Sequence, residues 1–101
     1  MSYFPFKGIV LERPYPTTGL STKLWMETVP VRGVPLGNLY LTQNGILIEA
    51  LFRTSGSYSG DEYPHVVLWA GSYYLEDGHH RVVAAALSRQ QSVYARVFIS
   101  A

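Results

Sequence analysis

Hydrophobic positions are most regular in the last third of the chain, where they predict four elements. The apolar run at residues 65–70 predicts a strand. Residues 71–72 predict a tight hairpin turn, and residues 73–76 predict the returning strand. Apolar positions at three- and four-residue spacing predict a helix from His79 to about Arg89, and 92–99 alternates as a final strand. A strand–helix–strand unit of this kind is usually parallel and right-handed.

The first third is broken by prolines and glycines at a spacing that disfavours helices. We therefore predict strands at 6–12 and 25–32, separated by turns at 14–19. Thr42 is a suitable N-cap for a short helix at 43–52, and 54–64 has the composition of a long loop able to close over a ligand. The sequence thus predicts an α+β fold with a small mixed sheet, two or three helices and extra strands at the N-terminal end.

Composition narrows the class of protein. The 101 residues suit one domain, 1–101, and the absence of cysteine excludes disulfides, a thiol nucleophile and thiolate metal sites. We expect a cytoplasmic protein, since no apolar run is long enough to span a membrane and the N-terminus lacks the pattern of a secretory signal. Eight basic against seven acidic side chains, with no basic block, argue against strong standalone binding to duplex DNA.

Polar and titratable residues converge at the junction of the last hairpin and the following helix, in the run Glu76-Asp77-Gly78-His79-His80-Arg81. A helix N-terminus offers free N–H groups to an anion, glycine lets a ligand approach the backbone, and arginine binds phosphate bidentately. We assign ligand binding to Gly78, His79, His80 and Arg81, and catalytic roles to His80 as acid/base and Asp77 as an orienting group. The alternative is a plain turn, with Asp77 capping the helix and Arg81 paired to Glu76 or Asp77.

The run from Tyr73 to Ala85, followed by a strand, resembles the ParB/sulfiredoxin-like superfamily. The resemblance covers about residues 30–99 as a ParB-like core, leaves 1–29 as an N-terminal strand extension, and is specific only over 78–85. It implies a phosphate cradle at Gly78–Arg81 for a nucleotide such as CTP or ATP with Mg²⁺, and slow nucleoside-triphosphate hydrolysis.

Two departures restrict what this resemblance implies. The position of the sulfiredoxin cysteine is His79, which excludes sulfinic-acid reduction, and no DNA-reading domain follows, which excludes the chromosome-partitioning clamp. A resident metal site is not predicted, because adjacent His79 and His80 diverge by about 100° on a helix.

Two other functions stay open on the sequence. One is a protein-interaction or regulatory module of phage or plasmid type without a ligand, marked by an exposed apolar patch built from Tyr3, Phe4, Phe6 and Trp25. The other is a metal-dependent nuclease or DNA accessory factor that depends on Asp77. Tyr58 and Tyr63 are candidates for base stacking or for an interface.

Overall fold

A computed structural model of the chain describes residues 4–43 and 63–100. These residues form one mixed sheet of six strands and two α-helices, which confirms the α+β class and the mixed sheet. The strands and helices in chain order are β1 (Gly8–Ile9), α1 (Thr22–Thr28), β2 (Val31–Pro35), β3 (Leu39–Leu41), β4 (His65–Trp69), β5 (Ser72–Asp77), α2 (His79–Leu87) and β6 (Ser92–Ile99), with a 3₁₀ turn at Leu36–Asn38. The order across the sheet is β1-β3-β5-β4-β6-β2.

The N-terminal third contains a helix where a strand was predicted. The strand prediction for residues 25–32 is wrong over its first part, because α1 occupies Thr22–Thr28 and β2 begins only at Val31. The Ser21 hydroxyl accepts a hydrogen bond from the Leu24 N–H and caps α1, and Val29 is already extended ahead of Pro30. The prolines therefore bound this helix instead of preventing it.

The strand predicted at residues 6–12 is much shorter in the structure. Only Gly8–Ile9 forms β1, which pairs in parallel with β3. Backbone hydrogen bonds from Lys7 to Leu39 and from Val10 to Leu41 extend this contact by one residue on each side.

The C-terminal elements follow the predictions closely, with two corrections. The hairpin turn lies at Ala70–Gly71, one residue earlier than predicted, and both residues have positive φ, as a type I′ turn requires. The unit β5–α2–β6 is not parallel: β4 lies between the two strands, antiparallel to β5 and parallel to β6. The tight hairpin holds β5 beside β4, so α2 leads the chain past β4 to its other side.

The two faces of the sheet bury different kinds of side chain. The face under α2 is mainly aliphatic and contains Leu39, Leu41, Val66, Leu75 and Val97, packed with Val82 of α2 and with Phe6. The opposite face is aromatic and is covered by the N-terminal segment through Tyr15, Trp25 and Val29, packed with Tyr40, Val67, Trp69, Tyr74 and Phe98. The helix predicted at 43–52 and the loop predicted at 54–64 lie outside the described residues, apart from Gln43, Tyr63 and Pro64.

Candidate functional site

Gly78 is the N-cap of α2 and adopts a left-handed conformation with φ 94° and ψ 29°. A Cβ at this position would lie 2.8 Å from the Pro64 Cα, closer than such atoms approach each other in proteins. The close backbone approach that glycine permits is therefore that of Pro64. The Gly78 N–H donates to the Asp77 carboxylate over 2.9 Å, and the N-cap position of α2 is held by Gly78 and not by Asp77.

His79 lies in the interior between α2 and the end of β3. Its Nε2 accepts a hydrogen bond of 3.1 Å from the backbone N–H of Thr42, whose hydroxyl donates to the Leu75 carbonyl. Burial lowers the pKa of His79 to about 4, and the nearby Asp77 carboxylate offsets only part of that effect. His79 is thus neutral at pH 7 and joins the helix to two strands.

The other predicted site residues surround the same turn. Asp77 is exposed, while His80 and Arg81 are half-buried on the first turn of α2. The structure therefore brings Asp77, Gly78, His79, His80 and Arg81 together, and their binding and catalytic roles stay predictions. Within residues 4–43 and 63–100, no three His, Asp or Glu side chains are grouped as metal ligands would be.

Glu76 has partners that the sequence did not indicate. Arg13 forms a salt bridge with its carboxylate, and the Tyr15 hydroxyl donates a 3.0 Å hydrogen bond to it. Burial, followed by the negative charge of Glu76, raises the pKa of Tyr15 above its usual value. These contacts join residues about sixty positions apart and attach the N-terminal segment to β5.

The apolar patch predicted for an interaction module is wrong as a set. Trp25 and Phe6 are buried at 4% and 6% exposure, because Trp25 stacks on the His65 ring at 4.6 Å between centroids and Phe6 joins the aliphatic core. Phe4 is exposed, whereas Tyr3 and Tyr58 lie outside the described residues. Tyr63 contacts the Arg96 guanidinium at 5.4 Å from its ring centroid.

Among the described residues, β2 forms one outer edge of the sheet, a feature that the sequence did not indicate. β2 is the last strand of the sheet order, and among the described residues only β6 pairs with it. The Val97 N–H donates to the Pro30 carbonyl and the Leu36 N–H donates to the Gln91 carbonyl, which sets the hydrogen-bonding pattern between β2 and β6. In this pattern the backbone N–H and C=O groups of the even-numbered residues of β2 point towards β6. The N–H and C=O groups of Val31 and Gly33 therefore point away from the sheet.

A groove of about 590 Å³ lies beside this edge, on the side of α2. Its lining includes Gly33 from β2, Arg81 and Ala84 from α2, and Ser92 and Tyr94 from β6. The Tyr94 side chain is 71% exposed, the largest exposure among the big hydrophobic residues described. The lining is mainly small and polar, so the groove presents accessible surface without a deep apolar cavity.

Basic side chains lie on the described strands and helix beside this groove. β2, α2 and β6 carry Arg32, Arg81 and Arg96 but no aspartate or glutamate. Arg32 is exposed on the edge strand, and no carboxylate of the described residues forms a salt bridge with it. Arg32 therefore places a positive charge on the outer edge of β2, although the whole chain has a net charge of only +1.

Comparison with known proteins identifies a family. The family model described as "Antitoxin VapB-like" matches residues 4–100. No curated protein and no solved structure matches the chain. No helix among the described residues is long and apolar enough to cross a membrane.

The family match overturns the resemblance to the ParB/sulfiredoxin superfamily. The nucleotide-binding function inferred from it, and the description as ParB-like, are wrong as well. The specific part of that resemblance was a glycine turn followed by a helix of small residues. The structure accounts for this pattern by packing, since Gly78 meets Pro64 and Ala85 is buried against the sheet.

Proposed function

Because the chain belongs to the VapB-like antitoxin family, we propose that it is a regulatory protein-binding module whose partner is a toxin protein. The observation that carries this proposal is the extent of the family match, residues 4–100. It spans every described strand and helix, whereas the resemblance it replaces was specific over a single turn.

The geometry supports binding over catalysis. At the turn once expected to hold a phosphate, His79 is engaged by the Thr42 backbone and Gly78 is packed against Pro64. The accessible features are a sheet edge, a shallow groove and an exposed tyrosine, which suit contact with another protein.

Inhibition by binding requires no chemistry from this chain. A stoichiometric complex suppresses a toxin when the dissociation constant lies well below the concentration of the two proteins, and a dissociation constant near 1 nM corresponds to about −12 kcal/mol. An interface of standard size, about 1,600 Å² in total, is compatible with such affinity. The accessible edge and groove supply part of that surface.

The proposal is tested by co-expression with a candidate toxin, chosen as the protein encoded beside this chain in its genome. We expect growth arrest by the toxin alone, recovery when this chain is co-expressed, and a complex of fixed stoichiometry in size-exclusion chromatography with light scattering. An unrelated toxin that arrests growth serves as the specificity control. A chain that melts cooperatively yet neither binds the candidate toxin nor restores growth would overturn the proposal.

A further inference from the structure

We infer that the outer edge of β2 is the docking site for the toxin, which adds an extended acidic segment as a further strand of the sheet. This inference rests on the proposed function and specifies the surface that performs it. Three observations carry it: the direction of the backbone groups of β2, the open space around Gly33, and the positive charge of the exposed Arg32.

The outer side of β2 presents a row of backbone hydrogen-bonding groups. Val31 and Gly33 each present one N–H and one C=O there, and Pro35 adds a carbonyl without a donor. No hydrogen bond from another described residue reaches these groups. An added strand would use this row from Val31 to Pro35, as in other cases of strand addition to an exposed sheet edge.

Side chains leave room for the added strand. Val31, Arg32, Gly33 and Pro35 are exposed, and only Val34 turns into the core. A Cβ built at Gly33 meets no atom within 4 Å, and Gly33 lies directly opposite Tyr94 across the β2–β6 ladder. Only bare backbone therefore separates the exposed Tyr94 ring from the side chain of an added strand.

Charge selects the kind of segment. Arg32 is exposed within the edge, and no carboxylate of the described residues forms a salt bridge with it. A segment with carboxylates near Arg32 gains favourable electrostatic energy. A second copy of this chain would instead bring its own Arg32 close to the Arg32 of the first copy, which disfavours pairing of two β2 edges.

The decisive variant is Gly33→Pro, with Gly33→Ala as its matched control. Proline removes the outward N–H and leaves the ladder to β6 intact, because Gly33 does not bond to β6. We expect Gly33→Pro to weaken binding of the candidate toxin about tenfold or more. The substitution removes one hydrogen bond of the interface and leaves a carbonyl of the added strand without its donor. Gly33→Ala, which keeps the N–H and fits the open space, should bind within about twofold of wild type.

Amide hydrogen exchange tests the edge in the unaltered protein. In the free chain, the Arg32 and Val34 amides should be protected by β6, while those of Val31 and Gly33 exchange quickly. Binding of the candidate toxin should slow exchange at Val31 and Gly33. Unchanged exchange at both amides in a saturated complex would overturn the inference.

Charge reversal tests the acidic nature of the segment. Arg32→Glu should weaken toxin binding about threefold to tenfold at low ionic strength, with a smaller effect at high salt. Lys23→Glu makes the same change in net charge on the 85%-exposed Lys23 side chain of α1, outside the β2 strand, and should leave affinity nearly unchanged. Equal effects of the two reversals would contradict a charge-selective edge.

The outcomes separate the docking site from the function. If wild type and Gly33→Pro bind the toxin equally, the edge inference fails and the proposed function stands. If wild type does not bind, both fail. If light scattering of the free protein shows a dimer that Gly33→Pro dissociates, a second copy occupies the edge, and the inference is overturned. Both variants must first show the cooperative melting of wild type.

Discussion

Replacing Gly78 with alanine tests whether the turn before α2 is set by packing against Pro64. The added Cβ must accept φ near +94°, which costs about 1–2 kcal/mol for a residue other than glycine. It must also displace the Pro64 backbone, since the Cβ would lie 2.8 Å from its Cα. Overpacking of this kind costs about 1–3 kcal/mol. The expected loss in free energy of unfolding is therefore about 2–5 kcal/mol. This is a large part of the total free energy of unfolding of a typical domain, which is about 5–15 kcal/mol.

The assay is urea unfolding followed by circular dichroism, with Gly19→Ala as the matched control. Gly19 has φ +70°, but a Cβ there meets nothing within 4 Å, so its substitution should cost only the backbone term of about 1–2 kcal/mol. The difference between the variants isolates the contact with Pro64. If Gly78→Ala loses no more stability than Gly19→Ala, the packing explanation of this turn is refuted.

Two further predictions concern the interior. The pKa of His79 lies near 4 in the folded chain and near 6.5 when unfolded, so its contribution to stability is complete above pH 6.5 and decreases towards pH 4. The free energy of unfolding should fall by up to about 1.4 kcal/mol per pH unit in this range. Urea titrations at several pH values should show this fall in wild type but not in His79→Gln. Parallel pH profiles of the two proteins would contradict the assignment of this effect to His79. Trp25→Ala should lower the free energy of unfolding by about 3–5 kcal/mol in the same assay, because the buried ring stacks on His65. Trp69→Ala should cost less, because the Trp69 side chain is only half-buried. Equal costs of the two substitutions would show that the stacking adds little.

Sequence periodicity was sufficient where an element's environment is uniform along its length. The alternation of residues 92–99 predicts β6 correctly because one side of this strand faces the aliphatic core throughout. The spacing in 79–87 predicts α2 because its buried residues recur on one side. α1 was missed although Ser21 provided a capping signal, since the surrounding prolines were given more weight than the local cap.

The site depended on contacts between distant residues, which no local pattern reveals. The conformation of Gly78 depends on Pro64, fourteen positions away, and the Glu76 carboxylate is paired with Arg13. The accessible edge also escaped prediction, because β2 becomes an outer strand only through its pairing with β6, some sixty residues later. A glycine followed by polar residues at a helix start therefore does not reveal the contact with Pro64 that sets this turn.

The separation of aromatic and aliphatic residues onto opposite faces of the sheet has a consequence for spectroscopy. Both tryptophans of the chain, Trp25 and Trp69, belong to the aromatic face. Intrinsic emission therefore reports the attachment of the N-terminal segment, and the stacking of Trp25 on His65 makes it sensitive to separation of α1 from the sheet. The layer beneath α2 has no tryptophan among its described members, so a tryptophan introduced there is needed for emission to report on that helix directly.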